Sequence, residues 1–255
     1  MKESAMRRRL ASLGIITLAF AAGCDALQAQ LEPELAQAVS RVTAQLEPEI
    51  RRAMLDGTIP SIAIAITDRD GELWSAAFGE SNLWAGTPAS TQSVYLIGST
   101  FKAQSTVALM QQMEKGKFDL DDPVHDYLDG MTIRGEDPTN PVLFRNLLTH
   151  TSGMPVDFGP HLVWGETAPL ALADYLSDSL RVATPPLEGV VYSNMAYSLV
   201  AYMVEKFSGT AYKQYIRENV WGPLGMTSTA FDPTPEMEPH TCPTKTPDAR
   251  SRRPG

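Results

Sequence analysis

The sequence predicts an α+β protein in which a helix and a β-hairpin come first and a mostly helical region follows. In SIAIAIT (61–67) isoleucines alternate with small residues, and the turn sequence DRDG (68–71) leads into a second apolar stretch. From about residue 100 the apolar residues recur at helical spacing instead. A two-stranded sheet is not stable alone in water, so we expect the hairpin to need further partners.

Two copies of AQLEPE, at 29–34 and 44–49, precede the hairpin. In each copy proline stands where a first helical turn tolerates it, and glutamate and apolar residues follow. The pattern predicts two consecutive helical pieces, of which the second ends at Gly57. We interpret residues 24–45 as a tether and place the start of the folded domain at residue 46.

The helical region contains four further apolar-periodic segments before residue 231. They are FKAQSTVALMQQMEKG, PVLFRNLLTHTSGMP, PLALADYLSDSL and a long helix from about Asn194 to Phe207. TAYKQYIRENVWGPLGM then closes the ordered part. The tail, 232–255, has six prolines in 24 residues and few apolar side chains, so we expect it to be disordered.

Composition limits the functions that the chain can have. Of its 255 residues, 43% are apolar and 20% charged, which is typical of a globular protein. The net charge of −9 and the lack of a basic stripe argue against a nucleic-acid partner. Four histidines and two cysteines without ligand spacing give no metal site, and no organic cofactor is indicated.

The N-terminal residues 1–23 read as an export signal. Three arginines precede an apolar run, and small residues lead to Gly23-Cys24. The pattern is typical of a bacterial lipoprotein, in which cleavage leaves Cys24 lipidated and anchored to the membrane. Ala21 stands where leucine is usual, and plain secretion or a retained anchor are the alternatives. We therefore expect an exported protein of the bacterial cell envelope, in the periplasm or on the outer surface.

Ser99 and Lys102 form a Ser-x-x-Lys pattern at a predicted helix start. Three helical positions advance about 4.5 Å and nearly one turn, so both side chains lie on one face. A serine hydroxyl becomes a strong nucleophile when a neighbouring base takes its proton, and a lysine can assist in this. The alternative is that Ser99 is only a helix cap, a common role for serine.

Tyr192 and Asn194 form a second pattern, Tyr-x-Asn, ahead of the long helix. A tyrosine beside a lysine can transfer a proton, and an asparagine amide can orient both the lysine and a substrate. The alternative is a buried tyrosine followed by an asparagine cap.

Together the two patterns resemble those of serine beta-lactamase-related proteins of the penicillin-binding type. Class C beta-lactamases, DD-carboxypeptidases and esterases belong to this group, and the resemblance covers about residues 50–231, within our predicted domain of 46–231. Matching segments are GKFDLDDPV (116–124), RNLLTHTSGMP (145–155) and VWGPLGMTSTAF (220–231). The resemblance implies a beta-lactamase/transpeptidase-like fold.

The resemblance also implies a role for each residue. Ser99 is the acylated nucleophile, Lys102 its activating partner, Tyr192 the general base and Asn194 a polar substrate-binding residue. The substrate is then a beta-lactam, a D-Ala-D-Ala peptide or a small ester. For His150, in the HTSG segment, the resemblance favours a hydrogen-bonded loop role over membership of a catalytic triad.

The third motif of the family, Lys or His followed by Thr or Ser and Gly on a late strand, has no convincing counterpart. KTP at 245–247 ends in proline and lies in the proline-rich tail. We therefore expect a truncated member that lacks the C-terminal strands, with a tail resembling read-through in another frame. Two alternatives stay open: a pseudoenzyme that binds penicillin with little or no turnover, and a fragment that does not fold alone. The sequence predicts no oligomeric state.

Overall fold

The computed structural model describes residues 33–156, 171–237 and 240–242. The predicted signal sequence, Cys24 and the KTP sequence lie outside the described residues. The chain divides into two compact units, Met1–Tyr95 with Met237–Gly255, and Leu96–Glu236. In the described ranges, no helix has the length and hydropathy that a membrane span requires.

The first unit begins with one helix, α1, over residues 33–57. The prediction of two separate pieces is wrong, and the boundary we placed at residue 45 falls inside this helix. Thr43 and Ile50 are both buried, and since they lie two turns apart they share one face. Burial of this face continues past Pro48, whose missing N–H removes one helical hydrogen bond. Packing therefore overrides the local preference of proline for a first turn.

The predicted hairpin is confirmed as strands β1, Ser61–Thr67, and β2, Glu72–Asn82. A short strand β3, Thr87–Pro88, which the sequence did not predict, gives an antiparallel sheet in the order β1-β2-β3. In the turn, the Asp68 carboxylate accepts hydrogen bonds from the amides of Asp70 and Gly71 at 2.8 and 3.0 Å. Gly79 has φ +79°, and a Cβ there would lie 2.1 Å from the Pro60 carbonyl oxygen, so only glycine fits.

Three described residues of the tail, 240–242, contact this unit. The Val94 amide donates to the His240 carbonyl at 2.8 Å, and the Cys242 amide donates to the Val94 carbonyl at 2.9 Å. The two bonds form a parallel bridge between Val94 and Thr241. The predicted disorder of the tail stays a prediction, because residues 238–239 and 243–255 lie outside the described part.

The second unit carries the helices. Its longer helices are α2, Lys102–Glu114; α4, Leu172–Ser179; and α5, Asn194–Ser208. Its shorter elements are a 3₁₀ turn at Gly98–Phe101, another at Val124–Tyr127, α3 at Phe144–Leu148, α6 at Tyr212–Ile216 and a π-helical turn at Arg217–Trp221. Each helical segment predicted from the sequence is present.

Helix α5 is the centre of this unit and packs against α2, α3, α4 and α6. Its core side chains are fully buried and include Met195, Leu199, Met203 and Val204. Ser193 caps the helix, because its hydroxyl accepts a hydrogen bond from the Ala196 amide at 3.0 Å. The core thereby fixes the N-termini of α2 and α5 against each other, and both candidate motifs lie at these ends.

Candidate active site

Ser99 lies in the 3₁₀ turn that runs directly into α2. The N-cap of this turn is Ile97, and no side chain caps either segment. The alternative that Ser99 is a helix cap is therefore wrong. Its side chain is exposed, and its hydroxyl oxygen interacts with two other side chains instead.

Lys102 connects the two motifs. Its Nζ donates to Ser99 Oγ at 3.2 Å and to Asn194 Oδ1 at 2.7 Å. The same ammonium lies 4.7 Å from the ring centre of Tyr192 and 5.4 Å from that of Tyr197. Because both ring faces are electron-rich, they add to the attraction that holds the cation beside the serine.

Tyr192 completes the contact with the serine. Its hydroxyl donates to Ser99 Oγ at 2.6 Å, and the side chain is 40% exposed. A hydrogen bond from Lys102, another with Ser99 and the positive charge of Lys102 lower the pKa of Tyr192 below its ordinary value. Tyr192 therefore loses its proton to form the phenolate at a lower pH than an isolated tyrosine does.

Asn194 is the first residue of α5, and the cap is Ser193. The alternative of an asparagine cap is therefore wrong. The amide of Asn194 is fixed at both ends, since its oxygen accepts from Lys102 and its nitrogen donates to the Val156 carbonyl at 3.3 Å. Asn194 thus orients the lysine.

The HTSG segment, residues 150–153, positions the chain that carries Tyr192. The amides of Ala183, Leu187 and Val191 donate to carbonyls of this segment at 2.8–2.9 Å. Gly153 has φ +70°, and a Cβ there would lie 1.9 Å from the Thr184 carbonyl oxygen, so the close approach requires glycine. The two segments therefore run together up to residue 191.

His150 lies in a hydrogen-bonded loop, the role that the family resemblance favours. Its contact with Tyr192, with ring centres 4.6 Å apart, was not predicted. Ser193, whose amide donates to the His150 ring, lies 43 positions after His150 in the sequence, and no spacing rule connects the two. Within the described residues, no group of three or more acidic, histidine or cysteine side chains is arranged to hold a metal ion.

Comparison with known proteins identifies the family. Residues 36–254 match the family model described as Beta-lactamase. The chain belongs to the beta-lactamase family. Penicillin-binding protein 4* of Bacillus subtilis (strain 168) is 30% identical over 162 residues, which is 62% of this chain and 35% of that protein.

Solved structures agree in fold. A penicillin-binding protein homologue from Pyrococcus abyssi, described as octameric, has a TM-score of 0.60 and 28% identity over 72% of this chain and 43% of that one. A class C beta-lactamase mutant has a TM-score of 0.67 and 22% identity over 80% of this chain and 54% of that one. The predicted α+β, beta-lactamase/transpeptidase-like fold is confirmed. The chain spans between about a third and a half of the lengths of these relatives.

Proposed function

We propose that this member of a serine hydrolase family hydrolyses an ester or amide through an acyl-enzyme on Ser99. One observation carries the proposal: Ser99 Oγ lies 3.2 Å from Lys102 Nζ and 2.6 Å from Tyr192 Oη. A nucleophile in hydrogen-bond contact with its base, and a base oriented by a third group, are what covalent catalysis requires. The exposure of Ser99 leaves its hydroxyl open to a substrate.

The reaction follows from these contacts. The Tyr192 phenolate takes the hydroxyl proton of Ser99 as Oγ bonds to the substrate carbonyl carbon. Tyr192 then gives that proton to the leaving nitrogen or oxygen as its bond to the carbonyl carbon breaks. Lys102 stabilises the phenolate by charge and hydrogen bonding, and Asn194 holds Lys102. In the second half of the reaction, Tyr192 takes a proton from a water molecule as its oxygen bonds to the acyl carbon. Tyr192 then gives this proton to Ser99 Oγ as the bond between Oγ and the acyl carbon breaks.

Beta-lactams, D-Ala-D-Ala peptides and small esters are the proposed substrate class. The name of the Bacillus subtilis relative supports the beta-lactams in this class, because it describes a penicillin-binding protein. A second candidate function is penicillin binding with little or no turnover. The 40% exposure of Tyr192 favours it, since bulk water at the site weakens the electrostatic stabilisation of a transition state.

Labelling with a fluorescent penicillin and with a fluorophosphonate tests the proposal. We expect one covalent adduct, which peptide mass spectrometry maps to Ser99 and which S99A loses. S105A is the matched control, because Ser105 also contacts a tyrosine but is buried. Rapid loss of the adduct indicates hydrolysis, and a stable adduct indicates penicillin binding. A folded protein that is not labelled, or equal labelling of S99A, contradicts the proposal.

We also propose that the chain is exported and lipidated at Cys24 in the bacterial cell envelope. The support is the arginine-rich start, the apolar run and the small residues before Cys24. After expression with a radiolabelled fatty acid, the purified protein from the membrane fraction should carry the label. The C24A protein should carry none. An unlabelled wild-type protein in the soluble fraction would contradict the anchor.

A further inference from the structure

His150 holds the backbone on both sides of Tyr192. The Val191 amide donates to the His150 carbonyl at 2.8 Å, and the Ser193 amide donates to its ring Nδ1 at 3.2 Å. One histidine therefore binds the residue before the tyrosine and the residue after it. Its own φ of +59° lies in the left-handed region, which is uncommon for residues other than glycine.

The imidazole also lies against the aromatic rings that hold the lysine. Its centre is 4.6 Å from the ring centre of Tyr192 and 5.3 Å from that of Tyr197. These are the two rings beside Lys102 Nζ. His150 therefore fixes the position of the Tyr192 backbone and contacts its ring.

The hydrogen bond to Ser193 depends on the protonation state of the ring. Nδ1 can accept from an amide only while it carries no proton, so the neutral ring must have its proton on Nε2. Protonation turns Nδ1 into a donor facing the Ser193 N–H, and it adds a positive charge near that of Lys102. Burial and the Lys102 charge accordingly lower the pKa of His150 below its ordinary value.

We propose that His150 is a positioning residue: its neutral imidazole holds Tyr192 against Ser99, and its protonation releases Tyr192 and inactivates the site in acid. The groups facing the ring are Tyr192 beside it, Tyr197 from α5 and the Lys102 charge from α2. The effect on activity rests on the proposed function, whereas the effect on the Ser193 hydrogen bond does not.

Two substitutions separate the acceptor from the ring. H150N keeps an oxygen acceptor near the place of Nδ1, tolerates a positive φ and does not titrate. H150F keeps an aromatic ring beside Tyr192 and removes the acceptor. H125N is the matched control, because His125 lies on the same unit but contacts Glu136 at 3.0 Å instead of the site.

Nuclear magnetic resonance of ¹⁵N-labelled protein tests the positioning directly. In the wild type and in H125N, we expect the chemical shift of the Ser193 amide to change in acid as its hydrogen bond is lost. The midpoint of this change should equal the midpoint of the titration of the His150 imidazole. In H150N the Ser193 amide should not change over that range. An amide that stays constant while the imidazole titrates, or that titrates equally in H150N, overturns the proposal.

Acylation rates measured with a fluorescent penicillin test the consequence. We expect the wild-type rate to fall about 10- to 100-fold on protonation of His150, as a small misplacement of a catalytic group causes. H150N should lose this acid limb, and H150F should be slow at every pH. If H150N keeps the limb, the proposal is wrong. If the amide titrates as expected but Ser99 is never labelled, the proposed function fails and the positioning by His150 stands.

Discussion

Two serine–tyrosine pairs lie near the N-terminal half of α2, and their surroundings differ. Ser99 Oγ is 2.6 Å from Tyr192 Oη, and Ser105 Oγ is also 2.6 Å from Tyr212 Oη. The first pair is exposed beside Lys102, whose hydrogen bond lowers the pKa of Tyr192. In the second pair, burial raises the pKa of Tyr212 to about 12.

The difference shows that contact between serine and tyrosine does not by itself produce a nucleophile. The Ser105 hydroxyl contacts the Phe101 carbonyl at 3.3 Å as well as Tyr212, and the ring of Tyr212 packs edge-on against that of Phe101. Burial there favours the neutral phenol, so almost none of this tyrosine is in the basic phenolate form at neutral pH. Beside Ser99, a cation and access to solvent favour the phenolate. The charge of Lys102 and the exposure of the first pair therefore distinguish it from the second.

Removal of Lys102 should give the largest effect. K102M keeps the length of the side chain but removes the charge and the hydrogen bonds to Ser99 and Asn194. We expect Ser99 acylation to fall by about 10³–10⁴-fold, the upper part of the range for general acid–base groups. The measurement is the rate of labelling by a fluorescent penicillin at neutral pH.

The matched control is K115M, at the other end of α2. Lys115, the residue directly after α2, donates to the Tyr215 hydroxyl at 3.3 Å and so forms a second lysine–tyrosine contact. Its removal should change the labelling rate by no more than about twofold, as is usual for exposed positions. Equal losses in both variants would mean that general destabilisation, and not the site, causes the effect.

Removal of one hydroxyl from each pair gives the next effect. Y192F should slow acylation about 10²–10³-fold, because the base is lost while the ring beside Lys102 stays. Y212F should keep the rate and lower the free energy of unfolding by about 1 kcal/mol, the usual value of one hydrogen bond. Labelling kinetics and urea unfolding measure the two quantities.

The pH dependence separates the two tyrosines further. A base works when it is deprotonated, so wild-type acylation should rise with pH through the pKa of Tyr192, which lies below 10. This limb should be absent from the residual rate of Y192F and present in Y212F. A limb that persists in Y192F would assign the titration to another group.

The sequence predicts those features of the fold and the site that depend on local spacing along the chain. The Ser99–Lys102 contact follows from helix geometry, and the helices follow from apolar periodicity. That Tyr192 reaches Ser99 over 93 positions of the chain depended on the family resemblance, because no local rule predicts a contact across that distance.

The features that the sequence did not predict depend on tertiary packing. Local sequence predicts a helix start at Pro48, yet burial of one face of α1 extends past it. The assignment of the α5 cap to Ser193 and not Asn194 depends on which side chain faces the Ala196 amide. His150 contacts Tyr192 only because the HTSG loop and residues 183–191 run together. Each of these features follows from how separate segments pack against each other, which residue spacing along the chain does not predict.

Alkaline unfolding gives the smallest effect that distinguishes the two pairs. The pKa of Tyr212 is about 12 in the folded protein and near its ordinary value of 10.0 in the unfolded chain. The neutral phenol of Tyr212 therefore contributes its full stabilisation below pH 10. This contribution is lost as pH rises toward 12, because Tyr212 ionises in the unfolded chain at a lower pH than in the folded protein.

Between about pH 8 and about pH 11, Y212F should lose less of its free energy of unfolding than wild type, by about 1 kcal/mol. Tyr127 and Tyr202, whose pKa values are also raised to about 12, remain in both proteins and cancel in the comparison. If Y212F and wild type lose equal stability over this range, Tyr212 ionises as freely in the fold as outside it, and the contrast between the buried and the exposed pair fails.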